Sequence, residues 1–176
     1  MNVYLDLKET SMSLESRIQN WDEYFIRLSR LIALKSKDRS KAVGAVIVGE
    51  DMEIISTGYN GFPRGMEDNL DVRHQRPEKY ELVVHAETNA IINAARVGVS
   101  VKGASMYMES APCRACAHDI INAGIKRLVV CPMNPEFDQF AGDENWDKNR
   151  HKAILELEEA GVEIVEVPIS RKEFTL

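Results

Sequence analysis

Apolar positions change period twice in the first third of the chain. Trp21, Tyr24, Phe25, Leu28, Leu31 and Ile32 recur at helical spacing. Asn20, with Glu23 three residues on, is a capping-box variant at the start of that pattern. Together they predict a helix that fades at 35–39. Residues 42–48 are short, apolar and partly β-branched, which predicts a buried strand. Gly49, Glu50 and Asp51 make a turn, and 53–59 returns as the second strand of a hairpin. From 60 to 79 the periodicity is lost and Gly61, Pro63, Gly65 and Pro77 punctuate a long loop. Loops of this length inside a compact domain are functional or disordered.

Helical periodicity returns over 85–97, stopped by Gly98, and over 113–123, closed by Gly124. Strands are predicted at 104–109, 127–131 and 162–167. A second irregular loop at 132–146 leads to a helix over 147–160, ended by Gly161. The order is α-β-β-α-β-α-β-α-β. Helices separate the three later strands, so these should run parallel through right-handed crossovers. The fold expected is α/β, a three-layer α-β-α sandwich with a mixed five-stranded sheet. The expected organisation is an N-terminal arm at 1–19, one domain over 20–170 and a C-terminal tail at 171–176.

Composition narrows the class. The 176 residues are 44% hydrophobic and 28% charged, with a net charge of −6. Collagen-like, disordered and disulfide-scaffold chains are excluded. The acidic balance argues against a polynucleotide partner, which needs a basic surface; a single nucleotide needs only a local basic cluster. No segment approaches the roughly 18–20 apolar residues of a membrane span. The first residues lack the basic start and apolar core of a signal peptide. A cytoplasmic protein with no membrane partner is expected. In a reducing compartment the close pair Cys113 and Cys116 reads as metal-binding or redox chemistry; Cys131 reads as a small core residue.

Two short patterns carry chemistry. His85-Ala86-Glu87 opens one predicted helix and Pro112-Cys113-Arg114-Ala115-Cys116 opens the next. His85 and Cys113 are 28 residues apart, room for one helix and one strand. One His and two Cys form a three-ligand zinc set with the fourth position open for water, the catalytic arrangement. Helix N-termini favour thiolates at the two cysteines. Zinc lowers the pKa of its water towards neutrality, and Glu87, not a ligand, is the candidate proton shuttle. Residues two apart on a regular helix point to opposite sides, so His85 and Glu87 share a site only within the entry turn. A redox pair would leave His85 and Glu87 unexplained. A structural zinc lacks its fourth ligand, since His74, His118 and His151 have no suitable spacing.

The paired pattern is the signature of zinc nucleobase deaminases. With Ser36-Lys37-Asp38, Val43–Val48, the block Thr57-Gly58-Tyr59-Asn60-Gly61-Phe62-Pro63 and His85–Ile91, the sequence resembles the deoxycytidylate (dCMP) deaminase family of the cytidine deaminase superfamily. The resemblance implies that His85, Cys113 and Cys116 hold zinc and that Glu87 protonates the ring nitrogen and then helps ammonia leave. It implies that Asn60 contacts the sugar and that the backbone of Ala86 and Ser110 reads the amide edge of the base. Hydroxide would attack C4 of cytosine, giving dUMP for thymidylate synthesis. It also implies a homo-oligomer, often a hexamer, with dCTP as activator, dTTP as inhibitor and Mg2+ on the effector.

A nucleotide needs a phosphate contact. Lys35, Lys37, Arg39 and Lys41 cluster before the first strand with only Asp38 opposing them. Lys37 and Arg39 are the phosphate or effector candidates; a helix C-terminus attracting cations accounts for them equally well. Arg64, Arg73, Arg76 and Lys79 sit among four acids and read as a self-paired, solvated surface. Trp146 reads as the anchor of the last helix rather than a lid. Other functions compatible with the residues are deamination of another cytosine compound (a modified dCMP, a nucleoside or dCTP) and a catalytically silent nucleotide sensor.

Overall fold

The computed structural model describes residue 18 and residues 20–170. The tail at 171–176, and the arm at 1–19 apart from Ile18, lie outside the described residues. Helix α1 spans Trp21–Ala33. Asn20 Oδ1 caps it, accepting from the Asp22 and Glu23 amides, while Glu23 turns to Arg27 instead of completing a capping box. Strands β1 (Gly44–Val48) and β2 (Ile54–Tyr59) form the antiparallel hairpin. The long loop then differs from its prediction. It contains a 3-10 turn at Asp71–His74 and a short helix, α2, at Glu78–Leu82. Five residues are too few to show a helical period.

The rest alternates: α3 (Ala86–Val97), β3 (Ser105–Met108), α4 (Arg114–Ala123), β4 (Arg127–Val130), α5 (Glu144–Glu159) and β5 (Glu163–Glu166). The sheet order is β2-β1-β3-β4-β5. β1 is antiparallel to both neighbours, and β3, β4 and β5 are parallel. Helix α5 begins three residues earlier than its pattern suggests, because Asp143 Oδ1 accepts from the Asn145 and Trp146 amides.

Side-chain alternation along β1 builds the three layers. Ala45 and Ile47 face a core shared with Ala90 of α3, Ile120 of α4 and Leu157 of α5. Val46 and Val48 face a second core with Phe25 and Ile26 of α1. The expected α-β-α sandwich and mixed sheet are thus present. A glycine sets one of these contacts: a Cβ on Gly58 would lie 2.3 Å from the Ala86 carbonyl oxygen and the Ala90 nitrogen. Helix α3 therefore rests its first turns directly on β2. Among the described residues no helix is long and apolar enough to cross a membrane.

Candidate active site

Helices α3 and α4 pack on the same face of the sheet, and their N-termini meet beyond the C-terminal end of β3. His85 is the N-cap of α3 (φ −74°, ψ 160°) and Cys113 the N-cap of α4 (φ −73°, ψ 166°). Neither side chain caps its own helix, so both are free to turn towards each other. The extended backbone at His85 also resolves the spacing problem. His85 stands outside the helical repeat, and it and Glu87 line one cavity.

His85 Nδ1 lies 3.3 Å from Cys116 Sγ and 3.5 Å from Cys113 Sγ. Tetrahedral zinc with ordinary Zn–N and Zn–S lengths requires about 3.6 Å between such donors. Both cysteines are free thiols. Two sulfurs and an imidazole are a donor set suited to zinc, and among the described residues no fourth protein ligand joins them. The three donors fit a zinc ion, and two of the three residues, His85 and Cys113, line the adjoining cavity.

The three donors act strongly on one another's protonation. The Cys113 thiol is pulled down to about 4 by hydrogen bonding with Cys116 and with His85. The His85 imidazole is pushed up to about 9, chiefly by the Cys113 sulfur. Cys116 is raised by the Cys113 sulfur and by burial. Burial also pushes the Glu87 carboxyl up, with the His85 charge opposing. Glu87 is only 3% exposed.

The cavity has a volume of about 230 Å³. Ala86, Ser110 and Asn60 line it. Asn60 is held firmly: its Nδ2 donates to the Lys41 carbonyl (2.8 Å) and Asp38 (3.2 Å), and its Oδ1 accepts from the Val43 amide (2.8 Å). Asp38 also receives Lys79 Nζ at 2.7 Å, a buried ion pair with side chains 4% and 10% exposed. Ser110 Oγ donates to Asp138 (2.8 Å), which the buried Arg150 also binds at 2.6 Å. This fixes the 132–146 loop against the site.

Lys37 and Arg39 stand outside the cavity. Lys37 pairs with Asp68 at 2.7 Å and Arg39 with Asp71 at 2.6 Å, both on the surface. Asp68 and Asp71 of the long loop thus neutralise Lys37 and Arg39 of the first cationic cluster. Two cations of that loop, Lys79 and Arg76, line the cavity instead of forming a solvated surface. Trp146 opens α5 and also walls the cavity, its ring centroid 6.5 Å from that of His85. The anchor role read from the sequence does not include this wall, because the approach of Trp146 to His85 is set by tertiary packing. His74 bonds the Asp68 carbonyl, His118 pairs with Glu156, and His151 bonds the Asp147 carbonyl. None of the three reaches the metal group.

Comparison with known proteins agrees with this geometry. Residues 19–132 match the cytidine and deoxycytidylate deaminase zinc-binding region. The chain is 44% identical over 114 residues to deoxycytidylate deaminase of Mus musculus, covering 62% of this chain and 63% of that protein. It thus spans less than two thirds of the mouse protein's length. It is 39% identical over 128 residues to the Homo sapiens deoxycytidylate deaminase, covering 70% and 71%. The solved dCMP deaminase of cyanophage S-TIM5 superposes with a TM-score of 0.64 at 25% identity, over 89% of this chain and all of that one. A zinc-fitting His–Cys–Cys group at two helix N-termini, within the matched region, places the chain in the cytidine and deoxycytidylate deaminase family.

Proposed function

We propose that this protein is a zinc-dependent dCMP deaminase, converting dCMP and water to dUMP and ammonia. The observation that carries it is the convergence of the His85, Cys113 and Cys116 donor atoms, within 4.8 Å of one another, beside a cavity that the buried Glu87 lines. His85 Nδ1 and the two thiolates hold the metal. When bound, zinc supplies Lewis-acid activation of water at neutral pH.

Glu87 accepts one proton from the attacking water and delivers it to N3 of the ring, then takes the second from the new C4 hydroxyl and passes it to the amine, which leaves as ammonia when the C4–N bond breaks. Its burial suits a carboxyl that cycles between charged and neutral forms. The Ala86 amide lies in the first turn of α3, where no intrahelical acceptor exists, and donates to the base carbonyl. The Ser110 backbone carbonyl accepts from the amine. Asn60 has both amide hydrogens engaged and one lone pair of Oδ1 taken by the Val43 amide, so the second lone pair of that oxygen is what it offers the sugar hydroxyl. The test is ammonia release from dCMP with Glu87→Gln alongside. The expected result is turnover in the parent and a loss of about 10²–10⁴-fold in the variant, with zinc retained. No ammonia from the zinc-loaded parent would leave a modified substrate or a silent sensor.

A homo-oligomer, as the family resemblance implies, is supported by the exposed apolar face of α1 at Trp21, Tyr24, Leu31 and Leu34. Regulation by dCTP and dTTP with Mg2+ belongs to the same proposal. The same assay, run with each effector, reads it directly.

A further inference from the structure

Four cationic side chains line the cavity: Lys41, Arg76, Lys79 and Arg150. Arg150 is buried between Asp138 and Asp147, at 2.6 and 2.9 Å. Lys79 is buried against Asp38. Lys41 Nζ donates to the Gln139 carbonyl at 2.9 Å and stands 4.1 Å from the Phe140 ring centroid. Arg76 differs from these. Its guanidinium lies over the Tyr80 ring, 5.4 Å from the centroid, and meets no carboxylate among the described residues. Contact with a ring face leaves the in-plane N–H donors of a guanidinium available.

We propose that Arg76 binds the 5′-phosphate of the substrate and so sets the preference for a nucleoside monophosphate over a nucleoside. The inference rests on the deaminase reading above. The reacting amine must lie at the zinc group and the phosphate is the opposite end of the nucleotide, so it calls for a cation elsewhere on the cavity wall, and Arg76 is an exposed residue of that wall. A planar guanidinium matches two phosphate oxygens at once, which a lysine does not. Lys37 and Arg39 are already paired with carboxylates and lie outside the cavity.

Binding of dCMP and deoxycytidine is measured by calorimetry on zinc-loaded Glu87→Gln protein, with and without Arg76→Gln or Arg76→Lys. Turnover of both compounds is measured with Glu87 intact. Arg76→Gln should weaken dCMP by about tenfold or more, the size of a lost charge-assisted hydrogen bond, and leave deoxycytidine within about twofold. KM for dCMP should rise with little change in kcat. Arg76→Lys should restore part of the affinity. Unchanged dCMP affinity in Arg76→Gln would overturn the proposal. So would equal weakening of both ligands, or the loss appearing in Lys37→Gln in its place. Failure of the deaminase reading looks different: the parent releases no ammonia, while calorimetry still reports whether dCMP is preferred and whether Arg76 carries the preference.

Discussion

Lys37 and Lys79 carry the same charge and each pairs with an aspartate at 2.7 Å, yet burial gives them different weights. The Lys37 side chain is 68% exposed, and water screens its pair with Asp68. The Lys79–Asp38 pair is out of water. Removing Lys79 would leave a buried carboxylate that keeps only the Ser40, Lys41 and Asn60 donors. Lys79→Met is expected to destabilise the protein near the lower end of about 3–5 kcal/mol, and Lys37→Met to leave stability unchanged; urea unfolding measures both. This contrast was not legible in the sequence. Counting charges along the chain groups Lys37 with Arg39, but pairing follows distances in space. The His–Cys–Cys donor set was legible, since its donor types and their positions at helix starts are local properties.

The elements position the site through their ends. His85 and Cys113 serve as N-caps, where the backbone is extended, and α3 is pressed onto β2 at Gly58. A methyl group there would meet backbone atoms of Ala86 and Ala90, which cannot rotate away. Gly58→Ala is expected to cost about 1–3 kcal/mol or more and to displace His85 relative to the two cysteines. Thermal melting reads the first effect, and zinc content after dialysis reads the second; a stable, fully loaded variant would show that α3 can shift without disturbing the ligands. The hairpin and the longer helices were clear from their periods. The beginning of α5 and the whole of α2 were not: the first depends on one capping side chain, and the second is held by its neighbours rather than by an apolar repeat.

Across the whole molecule, α1 is tied to β4 as well as to β1. Asp22 in the first turn of α1 accepts both terminal nitrogens of Arg127 (2.9 and 2.8 Å) and the Tyr107 hydroxyl (3.1 Å). The Arg127 guanidinium holds the Asp22 carboxyl below its ordinary value of 3.8, with burial opposing. A depressed carboxylate stabilises the fold above its unfolded pKa and loses that contribution as pH falls through the folded one. Asp22→Asn should therefore be less stable than the parent at neutral pH. The gap should narrow as pH drops below 3.8, as followed by denaturant midpoints across pH. A gap independent of pH would show that the shape of the side chain, not its charge, matters there.

Local pattern was enough for the strand and helix order, the parallel half of the sheet and the zinc-type donor set, because periodicity, caps and ligand spacing act within a few residues. Tertiary structure alone decided which cations face the cavity, that Asp38 links Asn60 to Lys79, and that Trp146 walls the site. These depend on how the 60–85 and 132–146 segments fold back over the helix N-termini. Contacts between residues so far apart along the chain are set by packing and charge pairing in three dimensions, which no local repeat encodes.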